Sequence, residues 1–403
     1  MSVLNILEEK LAETKKQGRF REFLNLERGV QDKPWATSHG PQGERRLNVW
    51  CSNDYLAMSH HPKVLLATTD AVNRVGLGTC GARSISGTSV YHTELETLLA
   101  SAYGKESALL FTTGFGANDA TLSTLCDAIP DLIVFSDELN HASMIYGIRY
   151  SKAEKKIFRH NDVAHLAELL QAADPARPKL IAFESLYSMD GDFAPLAQIV
   201  ALAEQYQALT YLDEIHSAGV YGERGLGYAE QLGLLDKITI IQGGFGKSYG
   251  AAGGYIAAPR SVVEAVRSWA PAFVFSTSSP APVVAAALAS FKYNLEHDTQ
   301  RKHLLAIVDH LKTGLRAAGI PLVSADSHIL PLRVGDPHRN KHISKVLLDE
   351  HDIYVQPVNA PTVPAGSERL RVTPTSAHSH ADVETFLAAL SRVWAVNDLR
   401  RAG

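Results

Sequence analysis

The chain has 403 residues, 45% of them hydrophobic and 20% charged. That composition supports a sizeable core and a length suited to two domains. With 39 basic and 43 acidic side chains the net charge is −4, so no broad field draws the chain to nucleic acid or an anionic membrane. Three cysteines, Cys51, Cys80 and Cys126, are odd in number and form no CxxC pair, which argues against a disulfide framework and a zinc site.

Along the chain, Leu4, Leu7 and Leu11 recur at offsets of three and four, the period of an amphipathic helix. The first 20 residues lack a secretory signal pattern. No apolar run approaches the roughly 20 residues of a membrane span, so a cytoplasmic location is expected. The helix stops near Gly18 and leads into a polar, Pro- and Gly-bearing stretch over 32–46. Short apolar runs then alternate with helical patterns. The strand candidates are "LNVWCS", "ALLFTTG", "LIVFSD", "KLIAFES", "LTYLDEI", "ITIIQGG" and "GGYIAAP". "DVAHLAELLQAA" and "PLAQIVALAEQY" are among the helical stretches between them. This alternation predicts an α/β fold with a largely parallel sheet. A long helical region over 281–319 precedes "SHILPLRV", "IYVQPVN" and "RLRVTPT", with helices expected over 340–350 and 380–396. The expected division is an N-terminal helical segment, 1–46, a large domain, 47–290, and a smaller C-terminal α/β domain, 291–403.

The chemistry-bearing residues cluster at strand ends. "GGFGKSYG" sets Lys247 among Gly243, Gly244, Gly246 and Gly250. A P-loop needs glycine at position 241, where Ile241 stands. Lys247 is then either a lysine at a helix start or a Schiff-base amine. "TYLDEIHSAG" ends an apolar strand with Asp213 and places His216 three residues on. A buried acid needs a cation or a donor; a protonated pyridine is one such partner, and a helix cap is the plainer alternative. His141 in "SDELNHASM" is either a cap or a ring for stacking. Gly114 and Phe115 in "FTTGFGAN" open a helix whose amides suit a phosphate. Arg369 and Arg371 share one strand face, and either one suits a substrate carboxylate.

Taken together, the blocks "WCSNDYLAM", "RSISGTSVYH", "SDELNHASMI", "FESLYSMDGD", "YLDEIHSAGVYG", "GKSYGAAGGYIAA", "FSTSSPAP" and "VQPVNAPTVPAGSERLRVTPT" run collinearly over nearly the whole chain. In this the sequence resembles the α-oxoamine synthases, and among them the 5-aminolevulinate synthases. These are pyridoxal phosphate enzymes of fold type I that join an amino acid to an acyl-CoA and release CO2. The resemblance implies a large domain with a mostly parallel seven-stranded sheet, a smaller C-terminal α/β domain, and a homodimer with shared active sites. It gives Lys247 the cofactor's aldehyde and the acid–base work at the substrate α-carbon. Asp213 is implied at the pyridine nitrogen, His216 and Ser188 at the phenolic oxygen, and His141 on the ring. Gly114, Phe115, Ser276 and Thr277 are implied at phosphate, the last two at that of the neighbouring subunit. Asn53 and Arg371 are implied at the amino-acid carboxylate, and Arg21, Ala82, Ser84, Ile85 and Thr362 around the acyl group. No metal is implied, and an aminotransferase is the rival reading.

The match breaks at a few places. Gly244 stands where the family usually has threonine, a loss of one hydrogen bond to a charged group, about 1.5–3 kcal/mol. Ala82 and Ser84 replace a threonine and an asparagine, Ala360 and Ala365 replace an aromatic and an arginine, and Ser279 and Tyr146 also depart from the pattern. The lost polar anchors and bulky ring make the expected acyl pocket roomier and less selective for an anion, and so raise a second reading in which the acyl-CoA is not succinyl-CoA. Tyr146 and Ala82 bear on the choice of glycine over alanine or serine.

Overall fold

Apolar runs that are buried on both faces pair into one seven-stranded sheet. In the computed structural model, which describes residues 2–41 and 43–397, the strand order is Ser107–Phe111, Gly254–Ala258, Ile240–Gly244, Leu209–Asp213, Lys179–Glu184, Ile133–Asp137 and Glu154–Phe158. Gly254–Ala258 runs antiparallel to both of its neighbours, and the other paired strands are parallel. Alternate residues feed two cores. Ile181 and Phe183 pack into one, with Leu95, Tyr103 and Phe291. Leu180 and Ala182 pack into the other, with Leu122, Val134 and Tyr211. A sheet covered on both faces is the arrangement that uninterrupted apolar strands require.

This sheet belongs to a unit made of Leu56–Ser188 and Phe193–Arg301. A second unit takes Met1–Tyr55, Met189–Asp192 and Lys302–Gly403. It contains a four-stranded sheet, in which Gly43–Val49 pairs with Trp35–Gly40 and Ile353–Tyr354, and a three-stranded sheet, in which Arg369–Val372 is central. Its core gathers Trp50, Leu311, Phe386 and Trp394, and Trp50 stacks on Phe386 at 4.4 Å between ring centroids. Among the described residues no helix is long and apolar enough to cross a membrane.

Three local expectations are corrected. "LNVWCS" does not join the large sheet, because its strand, Gly43–Val49, lies in the four-stranded one. The place is taken by Glu154–Phe158, a strand with three charged residues. It is an edge strand, paired on one side only, where charged side chains discourage further pairing. The long helix over 281–319 is two, Ala281–Glu296 and Thr299–Ala317, divided where His297 turns extended.

Candidate active site

Parallel strands end at one edge of the sheet, which is where ligands meet open α/β folds. Glu184 and Asp213 end adjacent strands and are paired in register. Both are buried, at 2% exposure each. Asp213 is held by neutral donors: the Asn118 side-chain amide at 2.7 Å and the Ile215 backbone amide at 2.8 Å. Asn118 in turn accepts from the Tyr211 hydroxyl at 2.7 Å. A buried carboxylate whose donors are all neutral is suited to a further, cationic partner.

Glu184 accepts from the His141 backbone amide at 2.6 Å. Burial pushes its carboxyl well above the usual range, reinforced by Asp213 and Asp137 and opposed by Lys247. Burial beside a second carboxylate thus favours the neutral form of Glu184. His141 opens the helix Ala142–Arg149 as its cap, accepting from the Ser143 amide through Nδ1 at 3.2 Å. The surrounding protein lowers its pKa, with Lys247 adding to the shift and Asp213 opposing it. A neutral imidazole results. Its ring lies edge-on to Phe115 at 6.4 Å.

Lys247 follows the strand Ile240–Gly244 in a tight turn, its carbonyl accepting from the Gly250 amide at 2.9 Å. Gly250 has φ +63°, and a β-carbon there would lie 2.0 Å from the Ser59 amide nitrogen, so no other residue fits. At Gly246 an added β-carbon would find its nearest neighbour at 3.9 Å. The protein's own packing does not require that glycine, and its effect is to keep the flank of Lys247 open. Lys247 Nζ lies 2.5 Å from His216 Nε2. Ser188 is half-buried, two residues beyond the Leu186–Phe193 bridge partner.

Thr113 caps the helix Gly114–Ala128, its hydroxyl accepting from the Gly116 amide at 2.9 Å. The amides of Gly114 and Phe115 fall at the first two helical positions, which have no partner inside a helix, and they can hold an anion there. Thr277 bridges to Ala82, and the Ser278 amide donates to the Gly81 carbonyl at 3.0 Å. The "RSISG" and "FSTSS" segments are therefore stitched side by side. A cavity of about 30 Å³ is lined by Gly116, Ser276 and Thr277 together with Arg83 and His92. Ser84 and Ile85 are exposed beside it in sequence, Ile85 at 85%.

In the second unit the two strand arginines part company. Arg369 is locked to Asp190 at 2.7 Å. Arg371, which is buried, donates to Asn53 Oδ1 at 3.0 Å and to the Tyr55 hydroxyl at 3.2 Å. Arg21, exposed, donates to Thr362 Oγ1 at 2.8 Å, and among the described residues no acid pairs with it.

Sequence reasoning missed Asn118, Glu184 and Tyr55. Glu184 carries the signal that marked Asp213, an acid ending an apolar run. Asn118 is a polar residue on the buried face of its helix, which also carries Thr121 and Thr124, and Tyr55 follows Asn53 by two. The residues fit pyridoxal phosphate: an amine for its aldehyde, a buried carboxylate with neutral donors for its ring nitrogen, and a helix start for its phosphate.

Residues 46–390 match the aminotransferase class I and II family. The chain is 49% identical to a 5-aminolevulinate synthase of Rhodobacter capsulatus, over 96% of this chain and 95% of that one. It is 49% identical to the enzyme of that name from Paracoccus denitrificans, over 98% of each. A serine palmitoyltransferase from S. paucimobilis, solved with bound PLP, superposes with a TM-score of 0.92 at 30% identity, over 99% of this chain and 100% of that one. The chain belongs to the aminotransferase class I and II family and, within it, to the pyridoxal phosphate-dependent α-oxoamine synthases.

Proposed function

We propose that this chain condenses glycine with an acyl-CoA, releasing CoA and CO2 and leaving an α-aminoketone, as the names of its relatives suggest. The observation that carries the reading is the Lys247 amine at 2.5 Å from His216, in one unit with a buried Asp213 whose own donors are neutral. When bound, pyridoxal phosphate supplies an electron sink for the substrate α-carbon. Lys247 would hold its aldehyde end, and the amine would serve as the base and acid at the substrate α-carbon. Asp213 would pair with the ring nitrogen and favour its protonated form, and Asn118 holds Asp213 in place. His141 would stack on the ring, while His216 and Ser188 would serve the phenolic oxygen. The amides of Gly114 and Phe115 would take the phosphate, and Ser276 and Thr277 would take that of a second copy, so the working form would be a homodimer; its expected location is the cytoplasm. Arg371 and Asn53 take the amino-acid carboxylate.

Asn118→Leu removes a donor to a charged group, worth about 1.5–3 kcal/mol. Titration of the apoenzyme with pyridoxal phosphate is expected to show binding weakened by roughly 10- to 100-fold. Unchanged affinity would remove Asn118 from the account.

For the acyl group, Arg21 favours a carboxylate at the far end, as in succinyl-CoA, because it is aligned by Thr362 and paired with no acid among the described residues. Ala82, Ser84, Ala360 and Ala365 favour the second reading, a less polar or longer acyl chain, and Ile85 lies exposed in the same segment as the first two. CoA release measured with glycine against succinyl-CoA and uncharged C4 to C10 acyl-CoAs decides between them. The first reading expects succinyl-CoA to be preferred, and Arg21→Leu to cut its kcat/KM by roughly 10- to 100-fold while sparing butyryl-CoA. Faster turnover of the uncharged chains would favour the second. Amino transfer to a keto acid without CoA release would overturn both.

A further inference from the structure

Ile215 sits in the turn between Asp213 and His216, its amide fixed to Asp213 Oδ1 at 2.8 Å. Its side chain reaches the two glycines at the sheet edge. A β-carbon added at Gly244 would stand 2.7 Å from Ile215 Cδ1 and 2.9 Å from Cγ1. One added at Gly114 would stand 2.5 Å from Cδ1 and 3.9 Å from Cγ1. Neither glycine has a left-handed backbone, so space and not conformation excludes a side chain.

The two positions differ in how the conflict could be relieved. Turning the end of the isoleucine moves Cδ1 and would free position 114. At position 244 Cγ1 also blocks, and Cγ1 moves only with χ1, which is stiff in a β-branched residue. The carbonyl oxygen of Gly253, 3.3 Å from the same added carbon, closes the other side.

We infer that Ile215 and Gly244 are a size-matched pair at the phosphate end of the cofactor site. The isoleucine fills the room a hydroxyl-bearing side chain at 244 would need, so the site gives up one hydroxyl donor and gains an apolar wall. Ile215 is a positioning residue, holding the strand end at 244 and the helix start at 114 apart at a fixed distance. This rests on the cofactor reading of that corner.

A double-mutant cycle tests it, with Gly244→Thr, Ile215→Ala and the pair. Pyridoxal phosphate affinity of each apoenzyme is read by absorbance titration, and Tm is read without cofactor. Gly244→Thr alone is expected to weaken binding by about 10-fold or more. In the Ile215→Ala background the same threonine is expected to be neutral or to tighten binding, and the two substitutions should couple in the apoprotein Tm as well. Equal penalties for threonine in both backgrounds would overturn the pairing, as would wild-type affinity for Gly244→Thr. If Gly244→Thr does not fold, Gly244→Ala adds the same β-carbon and completes the cycle. If no form of the protein binds pyridoxal phosphate, the cofactor reading fails, while the Tm coupling still judges the pair.

Discussion

Lys247→Ala is expected to lower CoA release from glycine and acyl-CoA by more than about 10³-fold. Proton transfer by a positioned side chain is worth about 10²–10⁴-fold by itself, and under the proposed function the same amine would also be the attachment point for the cofactor's aldehyde. No other lysine substitutes in the turn, since the neighbours of Lys247 are Gly246 and Ser248. The fold should tolerate the change. Lys247 is only half-buried, and its contact to His216 is one hydrogen bond. The variant should therefore keep a Tm near that of the wild-type apoprotein while losing the visible absorbance of the loaded enzyme. Retained turnover would move the acid–base work to another residue.

Asp213→Asn has the second largest expected effect. The asparagine keeps the size of the side chain and removes its charge. The Asn118 amide at 2.7 Å and the Ile215 amide at 2.8 Å would then face a neutral group. Removing one partner of a buried charge pair costs about 3–5 kcal/mol, which corresponds to a fall in kcat of roughly 10²–10⁴-fold. Glu184 is not placed to take over the role, because its carboxyl is engaged by the His141 backbone amide at 2.6 Å and burial favours its neutral form. Steady-state kinetics with saturating pyridoxal phosphate separate this effect from weaker cofactor binding. A kcat within about 10-fold of wild type would mean that the ring nitrogen does not depend on this carboxylate.

The large sheet was readable from the chain because its strands are apolar on both faces. "KLIAFES" and "LTYLDEI" need no partner information to be recognised as buried strands. Glu154–Phe158 was not readable, since an edge strand written Glu-Lys-Lys carries no burial pattern. "LNVWCS" was readable as a strand but not as a member of the smaller unit's sheet, because its pairing with Trp35–Gly40 depends on a polar hairpin. At the candidate site, the residues that would meet the cofactor stood out as polar groups at strand ends. Their supports were harder to see. Asn118 becomes meaningful only once its helix is laid against the strand carrying Asp213. The separation of Arg369 from Arg371 depends on Asp190, 179 residues from the first of them in sequence. Gly244 read as the loss of a hydroxyl, and the closeness of the Ile215 side chain to that position is visible only in three dimensions.

The proposed activity requires a covalent bond between the Lys247 amine and pyridoxal phosphate. Reducing the loaded protein with borohydride and mapping its peptides by mass reads that bond directly. The expected result is one pyridoxyl phosphate adduct, on the peptide that contains Lys247. An unmodified peptide there, or the adduct on a different lysine, would contradict it.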